Sequence, residues 1–482
     1  MGVTLFTSRV ILQTLGVDDY GVYNVVGGIV AMFSFVSGSL TVSSQRFITF
    51  EIGKKSNNNV SNVFSVCITL HLLLGILIAL IAEPIGYWYI YNKLMIPDSR
   101  LIAALWVFQF SILSMIIVFL TVPYTALIIA HEKMKAFALV SSIDALLRLF
   151  VAYAIICFKE SDSLVIYAVL IFCAQLITSL CYILYCKNVF KEIKLIWGID
   201  KKLLIDMGRF ASWSVMGNLA YVTYTQGLNL LLGTFFSPAV NAARGVAVQI
   251  QSAVNSFVNS FQTAINPQIT KNYASGNIGE MVNLVYKSSR FSFYLLMLLS
   301  IPVLLRTNDI LELWLSNIPN YTAVFVKIIL LTTWINSIAN PLIVSVKATG
   351  KVKTYELVVG ALMISILPIS YVFLKRGYDP EIVFIVHLII ECIAMICRIM
   401  ITKRLIEFSY SSYLRDVILK VLTVAVVSFF ISYYISSRIP DGALNTIVVF
   451  ILSVIASIVT IFLIGLDKSE RMFVLRKFLN NE

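Results

Sequence analysis

Long apolar stretches alternate with short polar ones along most of this chain. An apolar run of about 20 residues is long enough to cross a bilayer as a helix. Thirteen such runs are present, over residues 22–44, 63–91, 101–122, 136–158, 163–186, 207–233, 238–266, 290–306, 321–346, 354–374, 381–402, 417–436 and 443–465. Residues 1–15 form a shorter apolar run, and at 1.5 Å per residue they reach less than the roughly 30 Å hydrocarbon core. We therefore expect an all-α polytopic membrane protein of about 14 transmembrane helices. Its first helix is expected to be truncated, with its start upstream, and the alternative is a half-inserted or mismatched helix.

The run over 238–266 carries a polar stripe. Arg244 begins it, and four amides follow at helical spacing, with two more at its edge. These amides are Gln251, Asn255, Gln262 and Asn266, then Asn241 and Asn259. A membrane helix with an arginine on its polar face lines a wet cavity or another helix. Amides also join packed helices, so both interpretations remain open here.

The chain contains an internal repeat. When it is shifted by 217 residues against itself, seven identities occur in 31 ungapped positions. The pairs are Leu15 with Leu232, Gly16 with Gly233, Asn24 with Asn241, Gly28 with Gly245, Ser39 with Ser256, Ser43 with Ser260 and Gln45 with Gln262. The repeat predicts an N-terminal lobe of helices 1–6 over 1–186 and a C-terminal lobe of helices 7–12 over 187–404. Helices 13 and 14 and a cytoplasmic tail follow over 405–482. Six intervening spans make the two six-helix lobes parallel, and such transporters bind substrate where the repeats meet.

Composition agrees with this class, since 59% of the residues are hydrophobic, 13% are charged and the mean hydropathy is +0.89. The net charge of +12 would by itself also suit a nucleic-acid partner. However, the predicted inner loops and C-terminal tail hold 25 Lys and Arg residues against seven in the outer loops. This asymmetry is the positive-inside rule. It places both termini in the cytoplasm and indicates membrane lipid, with no nucleic acid, as the partner of the basic residues.

Several charged residues lie inside the predicted spans, where an arginine costs at least about 2.5–3.5 kcal/mol. Arg9, Arg46 and Arg244 have no acidic partner at helical spacing, and a guanidinium suits an anionic, phosphate-like ligand. Two other sites carry both signs on one helix face. Asp144 and Arg148 are four residues apart and can pair, whereas Glu391 and Arg398 are seven apart. These four residues are candidates for coupling to protons or sodium.

Amides and aromatic residues suit the sugar part of a ligand. The remaining candidate substrate-binding residues are Asn24, Gln45, Asn241, Gln251, Asn255, Gln262, Tyr221 and Tyr224. The seven cysteines show no metal-ligand spacing with histidine. We therefore predict no metal site and no cofactor.

Three motifs of this sequence resemble those of a known protein family. They are the opening over 7–28, which includes Thr7-Ser8-Arg9 and Gly27-Gly28, then Gln45-Arg46-Phe47, and the run from Pro123 to Met134. The chain resembles bacterial polysaccharide-export flippases, which carry O-antigen or capsule repeat units. They belong to the multidrug/oligosaccharidyl-lipid/polysaccharide exporter superfamily.

The resemblance implies two six-helix lobes that alternate between inward-open and outward-open states. It implies a polyprenyl-diphosphate-linked oligosaccharide, moved to the outer leaflet of a bacterial inner membrane for lipopolysaccharide or capsule synthesis, and other polysaccharide-assembly proteins as partners. The related peptidoglycan-precursor flippase uses cavity arginines in its first, second and eighth helices. Arg9, Arg46 and Arg244 hold similar places here.

Two other functions fit the same class of membrane protein. A multidrug exporter of this superfamily would bind cations, which favours an acidic or apolar cavity, whereas the stripe here is basic. A membrane polymerase or transferase acting on lipid-linked sugars would place a large outer loop or an acid/base pair at the membrane face. No outer loop exceeds about 20 residues, and no carboxylate pair or Ser/His/Asp set is evident. We therefore expect a transporter and not an enzyme.

Overall fold

The computed structural model describes residues 34–54, 57–92, 97–157, 162–190, 200–236, 238–315 and 318–479, together with Ile196 and ten scattered residues between 10 and 30. Within these residues the secondary structure is entirely helical. The predicted short segment 1–15 and the site residues Arg9 and Asn24 lie outside the described residues, apart from a few positions of that segment.

Fifteen helices are named here. They are α1 (Ser34–Gly53), α2 (Asn57–Asn92), α3 (Leu101–Ala130), α4 (Met134–Cys157), α5 (Ser163–Val189), α6 (Lys201–Phe235), α7 (Pro238–Ala274), α8 (Ile278–Leu305), α9 (Thr307–Trp314), α10 (Thr322–Thr349), α11 (Lys353–Lys375), α12 (Ile382–Leu405), α13 (Tyr410–Arg438), α14 (Ala443–Gly465) and α15 (Lys468–Leu479). Ten of them, within the described residues, are long and apolar enough to cross a membrane. The predicted all-α polytopic membrane protein is thereby confirmed.

The hydrophilic stretch 267–289, which reads as an inner loop, is almost wholly helical. α7 continues through Pro267 to Ala274, and α8 begins at Ile278. The turn between them places Gly276 at φ +79°, a conformation that glycine adopts without steric cost. A search for apolar runs detects only the part of a helix that lies in hydrocarbon. It therefore misses polar turns that extend a helix beyond the bilayer.

Residues Met1–Asn218 form one compact unit. Its apolar core lies between α1, α2, α3 and α5 and includes Leu40, Val63, Phe108 and Leu127. The first half of α6 belongs to this unit, where Asn218 Nδ2 donates to Ser39 Oγ at 2.7 Å. Arg100, between α2 and α3, forms ion pairs with Asp19 and Asp162. The hydrogen bond to Asp19 raises the pKa of Arg100, so the guanidinium joins three segments as a fixed charge.

Residues Leu219–Glu482 form the second unit, in which α7 and α10 pack against each other and against α8. The last two spans pack against each other and against α8, and small polar residues are buried in both of them. Ser428 and Ser432 in α13, and Ser453 and Ser457 in α14, are completely buried, and their hydroxyls have no hydrogen-bond partner among the described residues. Small side chains let membrane helices approach closely. This surface explains why α13 and α14 belong to the second unit.

Two buried arginines, one in the middle of α8 and one directly after it, form ion pairs with other parts of the chain. Arg306, at the end of α8, donates to Asp309 Oδ2 at 3.1 Å and also bonds to Ser436 in the last turn of α13 and to Asp441 in the α13–α14 turn. In the middle of α8, Arg290 pairs with Asp467 at 3.0 Å and Glu470 at 2.7 Å, at the start of α15. We call these contacts the Arg306 and Arg290 clamps. They anchor the C-terminal segment to α8.

Candidate functional site

The arginine that begins the polar stripe is held by neutral oxygens. Arg244 is half-buried in α7, and its guanidinium donates to the Thr225 carbonyl at 3.0 Å and to the Asn229 side-chain oxygen, both in α6. No carboxylate of the described residues lies within ion-pair distance of it. Neutral acceptors orient the guanidinium but do not cancel its charge, so Arg244 keeps a net positive charge inside the second unit.

The α6–α7 hairpin brings these groups together. α6 ends at Phe235 and α7 begins at Pro238, a residue that favours the first position of a helix. Asn229 lies six residues before the end of α6, and Arg244 lies six residues after the start of α7. Antiparallel helices joined this tightly place such positions opposite each other. Asn241 confirms the register, since its Nδ2 donates to the Asn229 carbonyl at 3.2 Å.

Two tyrosines of α6 lie within electrostatic range of Arg244. The Tyr221 and Tyr224 rings meet edge to face, with centroids 5.3 Å apart. Tyr224 is buried, and its hydroxyl lies 3.4 Å from Nε2 of His387 in α12. Tyr221 is 58% exposed. Tyr224 therefore joins α6 to α12, whereas Tyr221 presents an open aromatic face beside the arginine.

The amides of the stripe separate into two groups. Gln251 donates to Thr333 Oγ1 at 2.9 Å, and Gln262 donates to Ser292 Oγ at 3.0 Å and the Ser337 carbonyl at 3.2 Å. These two amides join α7 to α8 and α10, as the helix-packing interpretation expects. The side chain of Asn255 is half-buried and makes no hydrogen bond with another described residue. The Asn255 amide is thus able to contact a ligand.

In the first unit, Arg46 lies near the end of α1 among aromatic rings. Its guanidinium carbon is 4.4 Å from the Phe47 ring centroid, 4.8 Å from that of Phe50 and 5.6 Å from that of Phe210. Such contacts stabilise a cation without neutralising it. The neighbouring Gln45 is half-buried. Arg46 and Gln45 are the predicted substrate-binding residues of this unit that the described residues include.

Both predicted charge pairs are present, in different surroundings. Arg148 Nε donates to Asp144 Oδ2 at 2.8 Å, and Thr178 of α5 donates to the same carboxylate at 3.2 Å. The Asp144 and Arg148 side chains are partly exposed. In contrast, the Glu391 and Arg398 side chains form an ion pair that is only 1% and 5% exposed. Removing one partner of a pair as deeply buried as this leaves an uncompensated charge.

Some contacts of this site could not be predicted from the sequence. The Thr225 carbonyl carries no sequence signal, since any residue type supplies a carbonyl. Tyr355 of α11 lies within electrostatic range of Arg398, and His387 meets Tyr224, across different helices. The described residues contain no group of His, Cys, Asp or Glu that could hold a metal ion.

Comparisons with known proteins agree with the helical architecture. The family model described as "Polysaccharide biosynthesis protein" matches residues 2–273, and the MatE model matches residues 214–372. No curated protein matches the chain. Similar solved structures include an outward-facing multidrug-resistance MATE transporter of the MOP superfamily, at TM-score 0.68 and 16% identity, covering 84% of this chain and 92% of that one.

Two further structures share the fold. One, from Pyrococcus furiosus, is a MOP superfamily transporter in which a binding pocket of reverse polarity suggests a different function. Its TM-score is 0.68 at 15% identity, with 84% of this chain and 92% of that one covered. The other is the Vibrio cholerae MATE transporter VcmN in its bent form, at TM-score 0.67 and 14% identity, with 86% of this chain and 100% of that one covered.

Proposed function

Because this chain belongs to the polysaccharide biosynthesis protein family, within the MOP superfamily of multi-pass membrane exporters, we propose that it is a lipid-linked oligosaccharide flippase. Its substrate is a polyprenyl-diphosphate-linked oligosaccharide. The protein moves this substrate from the inner to the outer leaflet of a bacterial cytoplasmic membrane, with both of its own termini in the cytoplasm. The surface glycan so supplied is lipopolysaccharide, capsule or exopolysaccharide, and other polysaccharide-assembly proteins are its partners.

The observation that carries the proposal is the charge of Arg244. An arginine inside a membrane span needs a counter-charge, and the described residues supply only neutral acceptors to it. A diphosphate is such a counter-charge, and a guanidinium fork matches its oxygens. The arginine and nearby polar groups would replace the solvation that the headgroup loses on leaving water. Arg46 and Arg9 are the corresponding candidates in the first unit.

The sugar part of the substrate would lie beside this charge. Tyr221 offers an exposed ring and Asn255 offers an amide that no described residue engages. Alternating access would move the substrate, as in transporters built from repeats. The Glu391–Arg398 and Asp144–Arg148 pairs are the candidates for coupling this movement to an ion gradient.

The nearest rival function is multidrug export, which the fold of the similar solved structures also serves. Cationic drugs favour an acidic or apolar pocket, whereas Arg244 is basic. The P. furiosus structure was described in the same terms, with pocket polarity suggesting a different function. Pocket charge therefore separates the two functions, and nothing in the described residues favours catalysis on the same lipid-linked sugars.

Complementation of a flippase-null strain tests the proposal. The full chain would be expressed beside Arg244→Ala, Arg244→Lys and the control Arg376→Ala, which removes an exposed charge in a predicted outer turn. We expect wild type and the control to restore surface glycan. A hydrogen bond to a charged group contributes about 1.5–3 kcal/mol, so Arg244→Ala should lower surface glycan about tenfold or more. Arg244→Lys should lie between them.

Two measurements accompany the surface assay, namely the amount of each variant in the membrane and the lipid-linked intermediate in the inner leaflet. Accumulation of that intermediate with normal Arg244→Ala protein supports the proposal. Normal surface glycan in Arg244→Ala would contradict it. A wild-type chain that fails to restore glycan but protects cells from cationic drugs would identify a multidrug exporter.

A further inference from the structure

A cavity of about 320 Å³ opens between the α2, α3 and α5 ends that carry the basic loops of the first unit. Its walls are mostly apolar and include Phe64, Leu127, Ile183 and Phe190. Pockets that hold small molecules begin at about 300 Å³ and combine an apolar lining with a few polar groups. Protein interiors are otherwise close-packed, so a space of this size with such walls suits a hydrocarbon chain.

Two polar groups at this cavity are available to a ligand. Tyr124 lines it, and its ring meets Phe64 edge to face at 5.2 Å, yet its hydroxyl has no hydrogen-bond partner among the described residues. Lys187 lines the same cavity from the last turn of α5. It is exposed and forms no ion pair with another described residue. The remaining polar wall group, the Cys186 thiol, is already directed to the Tyr124 carbonyl at 3.5 Å.

The mouth of the cavity carries an excess of positive charge. Phe190 stacks on His131, with ring centroids 4.5 Å apart, so the turn between α3 and α4 borders it. That turn and the start of α4 add Lys133 and Lys135 against one carboxylate, Glu132. With Lys187, the basic residues exceed the acidic ones. Anionic lipid of the inner leaflet is attracted to basic residues at this depth of a membrane protein.

We propose that this cavity is a binding site for one anionic phospholipid of the inner leaflet. An acyl chain would fill the apolar space between Phe64, Leu127 and Ile183, and the phosphate would contact Lys187 and the Tyr124 hydroxyl. The site lies in the first unit and uses none of the residues assigned to the transported substrate. Lipid binding by the cavity can therefore be tested independently of transport, and only its assignment to the inner leaflet rests on the topology given under the proposed function.

Lipid titration of the delipidated, full-length protein tests the site. Native mass spectrometry would count bound palmitoyl-oleoyl phosphatidylglycerol and, separately, phosphatidylcholine with the same acyl chains. We expect one tightly bound phosphatidylglycerol in wild type. Lys187→Gln should weaken it about fivefold and remove the preference over phosphatidylcholine. Lys351→Gln, which removes a basic charge from the second unit, should change neither the affinity for phosphatidylglycerol nor the preference over phosphatidylcholine.

A second pair of variants tests the apolar part. Ile183→Trp places bulk in the cavity and should weaken binding of the first phosphatidylglycerol about tenfold or more. Leu184→Trp adds the same bulk to the exposed neighbour on α5 and should leave binding unchanged. Tight binding retained in Ile183→Trp, or a first bound lipid in wild type without headgroup preference, would overturn the proposal.

Thermal unfolding of each variant shows whether the fold is intact. If the tryptophan variants unfold at a lower temperature than wild type, the variants Tyr124→Phe and Lys187→Gln test the site instead. Tyr124→Phe removes only the hydroxyl. We expect it to weaken phosphatidylglycerol binding severalfold, and unchanged binding in both variants would overturn the site. Sodium palmitate is a further probe. Binding as tight as that of phosphatidylglycerol would identify a fatty-acid site instead.

Discussion

At the residue scale, the orientation of Arg244 depends on acceptors from another helix. The Asn229 side-chain oxygen accepts a hydrogen bond from one nitrogen of the guanidinium, and the Thr225 carbonyl accepts one from a second nitrogen. A preorganised charge loses less conformational freedom when a ligand binds than a freely rotating one. Asn229 is therefore expected to position the arginine without contacting the phosphate itself.

Replacing Asn229 tests this positioning role. Asn229→Ala removes one acceptor and leaves the charge, so transport should fall less than in Arg244→Ala, by about threefold to tenfold. Asn229→Asp keeps an acceptor but adds a counter-charge, so it should reduce transport at least as much as the alanine. The complementation assay measures both, with Asn308→Ala, which removes an exposed amide in the first turn of α9, as the control. Wild-type transport in Asn229→Asp would contradict a role for the free charge of Arg244.

Variants of the buried Glu391–Arg398 pair in α12 distinguish a structural role of this pair from a role in coupling. Glu391→Gln leaves Arg398 charged and buried, which should cost about 3–5 kcal/mol and lower the thermal unfolding temperature of the purified protein. The double variant Glu391→Met with Arg398→Met removes both charges and should recover most of that stability. If the double variant is stable and still transports, the pair is structural. If it is stable and inactive, the pair belongs to the coupling site.

At the element scale, the Arg290 clamp predicts that the C-terminal helix is held by charge. Burial opposes ionisation of Asp467, but hydrogen bonds from Lys420 and Arg290 outweigh it and hold the pKa of this carboxyl below its usual 3.8. A carboxyl group whose pKa is lowered by folding stabilises the folded contact at pH values above its unfolded pKa. This stabilisation is lost as the pH falls through the folded pKa. The Arg290 clamp should therefore stay closed from about pH 5 upward and open only in stronger acid.

Limited proteolysis measures release of α15. Arg290→Ala leaves Asp467 and Glu470 without this partner, so cleavage between α14 and α15 should become several times faster at neutral pH. Arg476→Ala, which removes an exposed charge from α15 itself, is the matched control. In wild type the cleavage rate should be flat between about pH 5 and pH 8. A rate that rises steadily across that range would show that a different group controls the clamp.

The serine surface of α13 and α14 makes a second prediction at this scale. Ser453 is fully buried with no hydrogen-bond partner among the described residues, so Ser453→Ala should leave stability unchanged or raise it slightly. Ser453→Leu inserts bulk where the helices touch and should cost about 1–3 kcal/mol. Ile451→Leu, on the exposed face of α14, should be neutral. Thermal unfolding in detergent compares them, and a tolerated Ser453→Leu would show that this contact is loose.

At the scale of the whole molecule, the charge asymmetry predicts topology. We expect the turn at Tyr378 to face outward and the turn at Lys351 to face the cytoplasm. In a cysteine-free background, Tyr378→Cys should react with a membrane-impermeant thiol reagent in intact cells. Lys351→Cys should react only after permeabilisation. Labelling of Lys351→Cys in intact cells would invert the topology and the direction of transport.

The helical class and most spans could be predicted from the sequence, because a bilayer imposes a length and an apolar character on each helix separately. The pairing of Asp144 with Arg148 could also be predicted from the sequence, since helical spacing alone places the two side chains together. The polar turns of α7 and α8 beyond the bilayer were missed for the same reason, because no apolar run marks them.

Tertiary structure alone decided which polar side chains form hydrogen bonds to other helices and which have no hydrogen-bond partner among the described residues. Gln251, Gln262 and Asn255 share one helix face, yet only Asn255 lacks a hydrogen-bond partner among the described residues. The clamp between Arg290 and Asp467 joins positions 177 residues apart. Periodicity along a chain specifies the face of a helix, whereas the partner of that face depends on helix packing. The sequence by itself thus determined a basic, multi-span membrane protein, and packing determined that neutral acceptors of α6 hold Arg244.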